Sequence, residues 1–386
     1  MQKLYYQFPE TWFGDCMPFG HGDKFYLYHQ RDTRKPGPFG EPFGWDLATT
    51  SDFVHYEDCG VAIPRGTDEE QDQFIFAGSV FEAEGQYHIF YTGYNRDYPA
   101  LGKPSQVLMH AYSDDLVTWH KTQDALTFTP QEGYDPDDWR DPWVIRDEEN
   151  DQYLLILGAR LQGPKTRQTG RTVKFTSKDL KNWTKHGLAF EKAYDGRFAR
   201  IATKSASILT KVKGGKLVID KVDGKYFMYW GEYAVHAATS DNLTDWYPVL
   251  DENNELLKIA KPRNGYFDSQ MTECGPPAIR TKQGIVLMYN GKNDKKRGDV
   301  NYPAGAYCAG QLLLDSKDPY KVLGRLDKPF FMPEAPFEKS GQYKDGTVFI
   351  EGLAYYKKKL YLYYGCADSK VAVAVCDDIK GLLKVK

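Results

Sequence analysis

The sequence has no apolar run of the roughly 18 residues a helix needs to cross a bilayer. Its start, Met1-Gln2-Lys3-Leu4-Tyr5-Tyr6-Gln7-Phe8, carries one charge and no signal-peptide core, which predicts a soluble cytoplasmic protein, with a secretory precursor trimmed of its leader as the alternative. Net charge is scarce too: 50 Lys and Arg face 53 Asp and Glu, a formal balance of −3. No basic field draws a polyanion, so neither nucleic acid nor a membrane surface is expected as a partner. The six cysteines, Cys16, Cys59, Cys274, Cys308, Cys366 and Cys376, form no CxxC pair and no metal-ligand spacing, as reduced thiols would. Without a Gly-rich phosphate loop or a Ser-His-Asp set, no cofactor or metal is expected. A small neutral ligand suits this charge balance better, and the oligomeric state is left open.

What the chain has is aromatic side chains and turns. Aromatics make up 15% of its 386 residues, with 35 Gly and 21 Pro, a composition that favours many short strands over long helices. A Ser-Asp-x-Leu-x-x-Trp turn recurs at Ser113–Trp119, Ser177–Trp183 and Ser240–Trp246, with a relative at Ser51–Tyr56. Phe53, Leu116, Leu180 and Leu243 are spaced by 63, 64 and 63 residues, and Ser316-Lys317-Asp318-Pro319 repeats the turn once more. Aromatic strands precede these turns, as in Tyr87-His88-Ile89-Phe90-Tyr91 and Tyr226-Phe227-Met228-Tyr229, and six such strands occur in all. A unit of this length holds four strands, and four-stranded units around an axis make a β-propeller. The expectation is an all-β chain, a single domain over 1–386, with six blades by count. Lys3–Tyr6 would close the ring against Val371–Val375. The Ser-Asp turns read as structural, each Ser or Asp fixing its own backbone.

In a propeller the first strand of each blade lines the central funnel. The innermost segments are 14–18, 72–79, 139–143, 202–205, 272–277 and 345–349; five begin with or near an acid, Asp15, Asp72, Asp141, Glu273 and Asp345. The fourth is basic, with Arg197, Arg200 and Lys204 near its start. Convergent carboxylates suit glycosyl transfer, which needs one acid to protonate the leaving oxygen and one carboxylate as nucleophile or base. Ser79, Arg140 and Lys204 join Asp72 and Asp345 as candidate substrate-binding groups. Trp12, Trp45, Trp139 and Tyr266 are candidate sugar platforms, with packing between blades as the equal alternative.

Over residues 11–190 the chain resembles glycoside hydrolase family 32, the invertase and levanase group. The matching marks are Asp15-Cys16-Met17-Pro18, Gly44–Glu57, Ala77-Gly78-Ser79 and Arg140-Asp141-Pro142, with Glu273-Cys274-Gly275-Pro276 close to that family's Glu-Cys-Pro. That resemblance implies Asp15 as nucleophile, Asp141 as transition-state stabiliser and Glu273 as acid/base. From about 265 to 380 the chain looks more like family 130, the mannoside phosphorylases and related mannosidases, through Gly275–Thr281, Tyr289-Asn290-Gly291 and Ala309–Asp315. Phosphorylases of that family hold phosphate with cations, which gives Arg197, Arg200, Lys204 and Arg280 a role. Both families, with family 43, imply five blades. The expected activity is exo-acting hydrolysis of a terminal furanoside, fructosyl-like, or a related glycoside from a small oligosaccharide, by the Asp/Asp/Glu carboxylates. A β-mannoside phosphorylase and a non-catalytic glycan-binding propeller are the alternatives.

Overall fold

The computed structural model describes residues 2–5, 10–12, 15–35, 39–122, 126–166, 169–341, 343–367 and 369–376. Tyr6, Gly14 and the chain beyond 376 lie outside them. The chain is all β, and among the described residues the helical pieces are short 3-10 turns such as Tyr98–Leu101. Antiparallel hairpins follow one another along the sequence, and their turns use the backbone that tight hairpins demand. Asp223 and Gly224, for example, both take positive φ (50° and 78°), the conformation that matches the strands' own twist.

Among the described residues, four four-stranded sheets are separate from one another. The first holds Cys16–His21, Lys24–His29, Trp45–Thr50 and Glu57–Ile63. The second holds Phe74–Ala83, Gln86–Tyr94, Gln106–Ser113 and His120–Lys121. The third holds Tyr134–Asp147, Gln152–Leu161, Gly170–Ser177 and Thr184–His186. The last holds Phe349–Tyr356, Lys359–Cys366 and Lys370–Cys376, and Gln2–Tyr5 completes it by pairing Lys3 with Ala374 and Leu4 with Val373. The ends of the chain thus close the ring as expected, and this pairing covers the edge that Lys370–Cys376 would otherwise expose.

Six separate blades do not form. The fourth and fifth repeats merge into one eleven-stranded sheet because Leu209 and Thr210 pair in parallel with Ala278 and Ile279. Side chains reinforce the join: the Thr210 hydroxyl donates to the Ala278 carbonyl (2.7 Å) and the Ser207 hydroxyl to the Pro276 carbonyl (2.9 Å). Four separate sheets and this fused one make up the propeller-like ring. Strand Ser207–Lys213 also turns back on itself through Lys216–Ile219. That hairpin packs against the inner strands Tyr134–Asp147 and Phe349–Tyr356, and Lys216 reaches Glu82 (3.0 Å) and Lys213 pairs with Glu148. These partners lie at or just past the far ends of their strands, so the hairpin spans the channel opposite the strand starts where the acids sit.

The recurring turns are structural. In each, Asp52, Asp115, Asp179 or Asn242 accepts two backbone N–H bonds of 2.7–3.0 Å from the residues two and three ahead. The apolar residue between them is forced into left-handed backbone, with φ of 60–66° at Phe53, Leu116, Leu180 and Leu243, and is buried. Neighbouring sheets grip these turns: the Tyr28 hydroxyl donates to the Leu116 carbonyl (2.5 Å), and Tyr229 does the same to Pro319 (2.7 Å). Leu243 is fully buried against Phe190, Trp230 and Trp246. Leu243→Ala is expected to lower unfolding free energy by about 3 kcal/mol, read by denaturant titration; a loss below about 0.5 kcal/mol would show the turn to be dispensable.

Candidate active site

Asp141 sits where strand Tyr134–Asp147 breaks register, between the pairs Arg140↔Gly158 and Trp143↔Ile156. Pro142 has no N–H to pair, which suits it to a bulge. Asp141 takes φ 60°, and its N–H donates to the Thr92 hydroxyl (3.1 Å), which in turn donates to the Ala77 carbonyl (3.0 Å). Two sheets therefore hold a strained backbone that aims one carboxylate inward. Ser79 supports the same strand, its hydroxyl accepting the Val144 N–H (3.2 Å).

The Asp141 side chain keeps 58% of its surface open, yet its pKa lies above the ordinary carboxylate value. Loss of solvation is the chief cause; Arg140 and Lys204 pull the other way, and Asp138 adds to the rise. Openness and desolvation are reconciled by depth: a carboxylate can keep open surface while the protein around it removes the bulk water that would stabilise its charge.

Asp138 is the opposite case. It is buried, and burial alone would raise its pKa, but Arg140 (3.3 Å), Lys204 (3.4 Å) and Arg160 (2.6 Å) outweigh that and hold it low. It stays ionised and fixes both Arg140 and Lys204 beside Asp141, 3.5 Å away in the case of Arg140. Asp15 belongs to the same neighbourhood, since its charge acts on Arg140 together with those of Asp141 and Asp138.

Residues 202–205 are not a strand; they form the approach to Ser207–Lys213. This approach links Asp138 to Glu273, because the Ser205 hydroxyl donates to Glu273 Oε1 (2.6 Å) while Lys204 reaches Asp138. Beside Glu273 runs a further segment. The N–H groups of Thr272 and Cys274 donate to the carbonyls of Tyr233 (3.0 Å) and Gly231 (3.2 Å). In an antiparallel register this leaves Glu232 directly opposite Glu273. Acid, cations and carboxylates thus come from three successive repeats.

The other expected site residues make the following contacts. Trp45 and Trp139 are 1% and 0% exposed, and their indole N–H groups donate to Ile75 and Phe128 carbonyls (both 3.0 Å). Packed between sheets, they offer no face to a sugar. Asp72 is buried, held by Lys121 (2.5 Å) and the Tyr91 hydroxyl (3.2 Å). Trp12 carries Arg34 over its ring at 4.8 Å, and Tyr266 carries Arg263 at 4.1 Å. Asp345 pairs with Lys295 (3.4 Å). Of the expected phosphate-holding cations, Arg197 is bound to Asn254 and Glu255, and Arg280 to Asp220 and Lys221. Lys204 remains at the cluster.

Three residues of the cluster escape a reading of the sequence. Asp138 has a visible signal, being two residues before Arg140 on a strand and hence on its face. Ser205 lies in the 202–205 segment expected to line the funnel, though nothing there marks it as a partner of Glu273; Glu232 has no signal, since long-range register alone brings it to Glu273.

Residues 7–200 match the Glycosyl hydrolases family 32 N-terminal domain. The chain is 27% identical to a 1,2-beta-oligomannan phosphorylase of Thermoanaerobacter sp. (strain X514), over 84% of this chain and 97% of that protein. Its fold superposes on a glycosyl hydrolase from Bacteroides ovatus at 46% identity and TM-score 0.64, covering 79% of this chain and 84% of the other. A third relative, at 45% identity, TM-score 0.62 and the same coverage, comes from work describing how the GH130 family of mannoside phosphorylases contains glycoside hydrolases that target beta-1,2 mannosidic linkages in Candida mannan. No helix among the described residues is long and apolar enough to cross a membrane. The chain therefore belongs to the β-propeller glycoside-processing enzymes: its first half is a glycosyl hydrolases family 32 N-terminal domain, and over most of its length it is a member of the GH130 family.

Proposed function

We propose that this protein cleaves the terminal linkage of a short β-mannoside, with Asp141 as the proton donor to the leaving oxygen. One observation carries the reading: Asp141, at a strained bulge, is the carboxylate of this cluster whose surroundings raise its pKa. A general acid works best when its pKa approaches the working pH. This differs from the stabilising role implied by the family 32 resemblance. Mannoside replaces furanoside as the sugar because the relatives that span most of the chain act on mannosidic linkages. A channel crossed by a hairpin at its far end favours a chain end over the middle of a polymer.

Phosphate is the first reading of the acceptor. Arg140 and Lys204 flank Asp141, and cations so placed can carry an incoming phosphate oxygen to the anomeric carbon as the glycosidic bond breaks. Curated relatives matching 84% and 81% of the chain are phosphorylases. Water is the second reading, favoured by Glu232 opposite Glu273, a carboxylate pair able to take a proton from water. In either case a carboxylate at Glu273 stabilises the positive charge that builds on the sugar ring.

The test is to incubate β-1,2-mannobiose with the enzyme, with and without inorganic phosphate, and to resolve the products. Phosphorolysis predicts mannose 1-phosphate only when phosphate is present. Free mannose released equally fast in phosphate-free buffer assigns the acceptor role to water. Since the donor must be protonated, kcat/KM is expected to fall on the alkaline side, above the raised pKa of Asp141.

A further inference from the structure

The dipeptide Lys204-Ser205 joins the Asp138, Glu232 and Glu273 sides of the site. The Lys204 ammonium reaches Asp138 (3.4 Å), its carbonyl accepts the Gly231 N–H (3.2 Å) at the start of the Glu232 segment, and the Ser205 hydroxyl donates to Glu273 Oε1 (2.6 Å). The dipeptide is fastened to the third sheet just upstream. The Thr203 N–H donates to the Gly170 carbonyl (3.1 Å), the Thr172 N–H to the Thr203 hydroxyl (3.0 Å), and the Thr172 hydroxyl to the Thr203 carbonyl. Gly170 leaves room for this: a Cβ there would meet the Lys204 stem at 2.8 Å.

Ser205 takes φ 59°, left-handed backbone. A glycine would adopt it without strain, whereas a serine does so at a cost. A serine held in a conformation that suits glycine points to a use for its side chain, and the side chain makes a short bond to a carboxylate.

We propose that Ser205 is a positioning residue that holds the Glu273 carboxylate in its working orientation through the hydroxyl bond to Oε1. It uses the third sheet as its anchor. Lys204 and Ser205 together then set the separation between the acid, Asp141, and the carboxylates on the far side. The inference rests on Glu273 being a working carboxylate.

The experiment compares Ser205→Gly, Ser205→Ala and Glu273→Gln with the wild type in kcat, KM and melting temperature. If Ser205 positions Glu273, both Ser205 variants lose about 10- to 100-fold in kcat, as expected for a lost hydrogen bond to a charged group, with KM nearly unchanged. Ser205→Gly melts above Ser205→Ala because it relieves the backbone. A residue needed only to shape the turn would behave otherwise, its glycine variant keeping full turnover. Wild-type kcat in Ser205→Gly beside an impaired Glu273→Gln overturns the positioning role alone. Full activity in Glu273→Gln overturns the reading of Glu273 and the inference with it.

Discussion

Asp141→Asn is expected to lower kcat/KM on a β-mannoside by about 10³-fold or more, while leaving the protein at neutral pH no less stable than the wild type. The first effect follows from the loss of the donor. An amide of the same shape keeps the bulge and the Thr92 bond to the Asp141 N–H but has no acidic proton for the leaving oxygen. The second follows from linkage. The folded-state pKa of Asp141 is raised above its ordinary value, so the folded protein binds that proton more tightly than the unfolded chain does. The stability this contributes is complete below the unfolded pKa of about 3.9 and is lost as pH rises through the folded value. The two proteins should therefore melt alike at acid pH. Above that window the wild type carries a charge in a poorly solvated position and the asparagine variant does not, so the variant should melt at the same temperature or higher. An active group that weakens the fold it belongs to is a common trade. An equally inactive variant that melted well below the wild type at pH 7 would instead mark Asp141 as structural.

Glu273→Gln should cost about 10²-fold in kcat, with a smaller change in KM. Its carboxylate is held by Ser205 and faces Glu232 across two hydrogen-bonded neighbours. Glutamine keeps the size and can still accept from the Ser205 hydroxyl, so the fold should tolerate it. What goes is the negative charge opposite the developing oxocarbenium ion, which matters most at the transition state. The loss should thus appear in kcat. A rise in KM at unchanged kcat would mean that Glu273 only binds the ground state.

Much of the fold could be read from residues whose partners are near in sequence. The 63-residue spacing of Phe53, Leu116, Leu180 and Leu243 marks turns set by local side-chain bonds to backbone, and local chemistry repeats wherever its residues repeat. The closure by Gln2–Tyr5 was legible because a last unit short of one strand must find it at the other end. Separate fourth and fifth blades were expected and do not form, since the join depends on Leu209 and Thr210 meeting Ala278 and Ile279. Pairing over that distance leaves no mark in either segment. The site divides along the same line. Asp141 was visible through Arg140-Asp141-Pro142 and Glu273 through Glu273-Cys274. Glu232 was not, because nothing in Gly231-Glu232-Tyr233 hints at the strand it will lie beside. Trp45 and Trp139 show the converse: an aromatic next to an acid reads equally as platform or packing, and here burial decides for packing.

The central claim is that the Asp141 site cleaves β-mannosides. It is tested most directly by incubating wild type and Asp141→Asn with β-1,2-mannobiose and with a β-fructofuranoside such as sucrose, phosphate present, and following loss of substrate. The account predicts that the wild type consumes mannobiose, leaves sucrose untouched, and that Asp141→Asn consumes neither. Cleavage of sucrose with mannobiose intact, or unimpaired mannobiose turnover by Asp141→Asn, would contradict it.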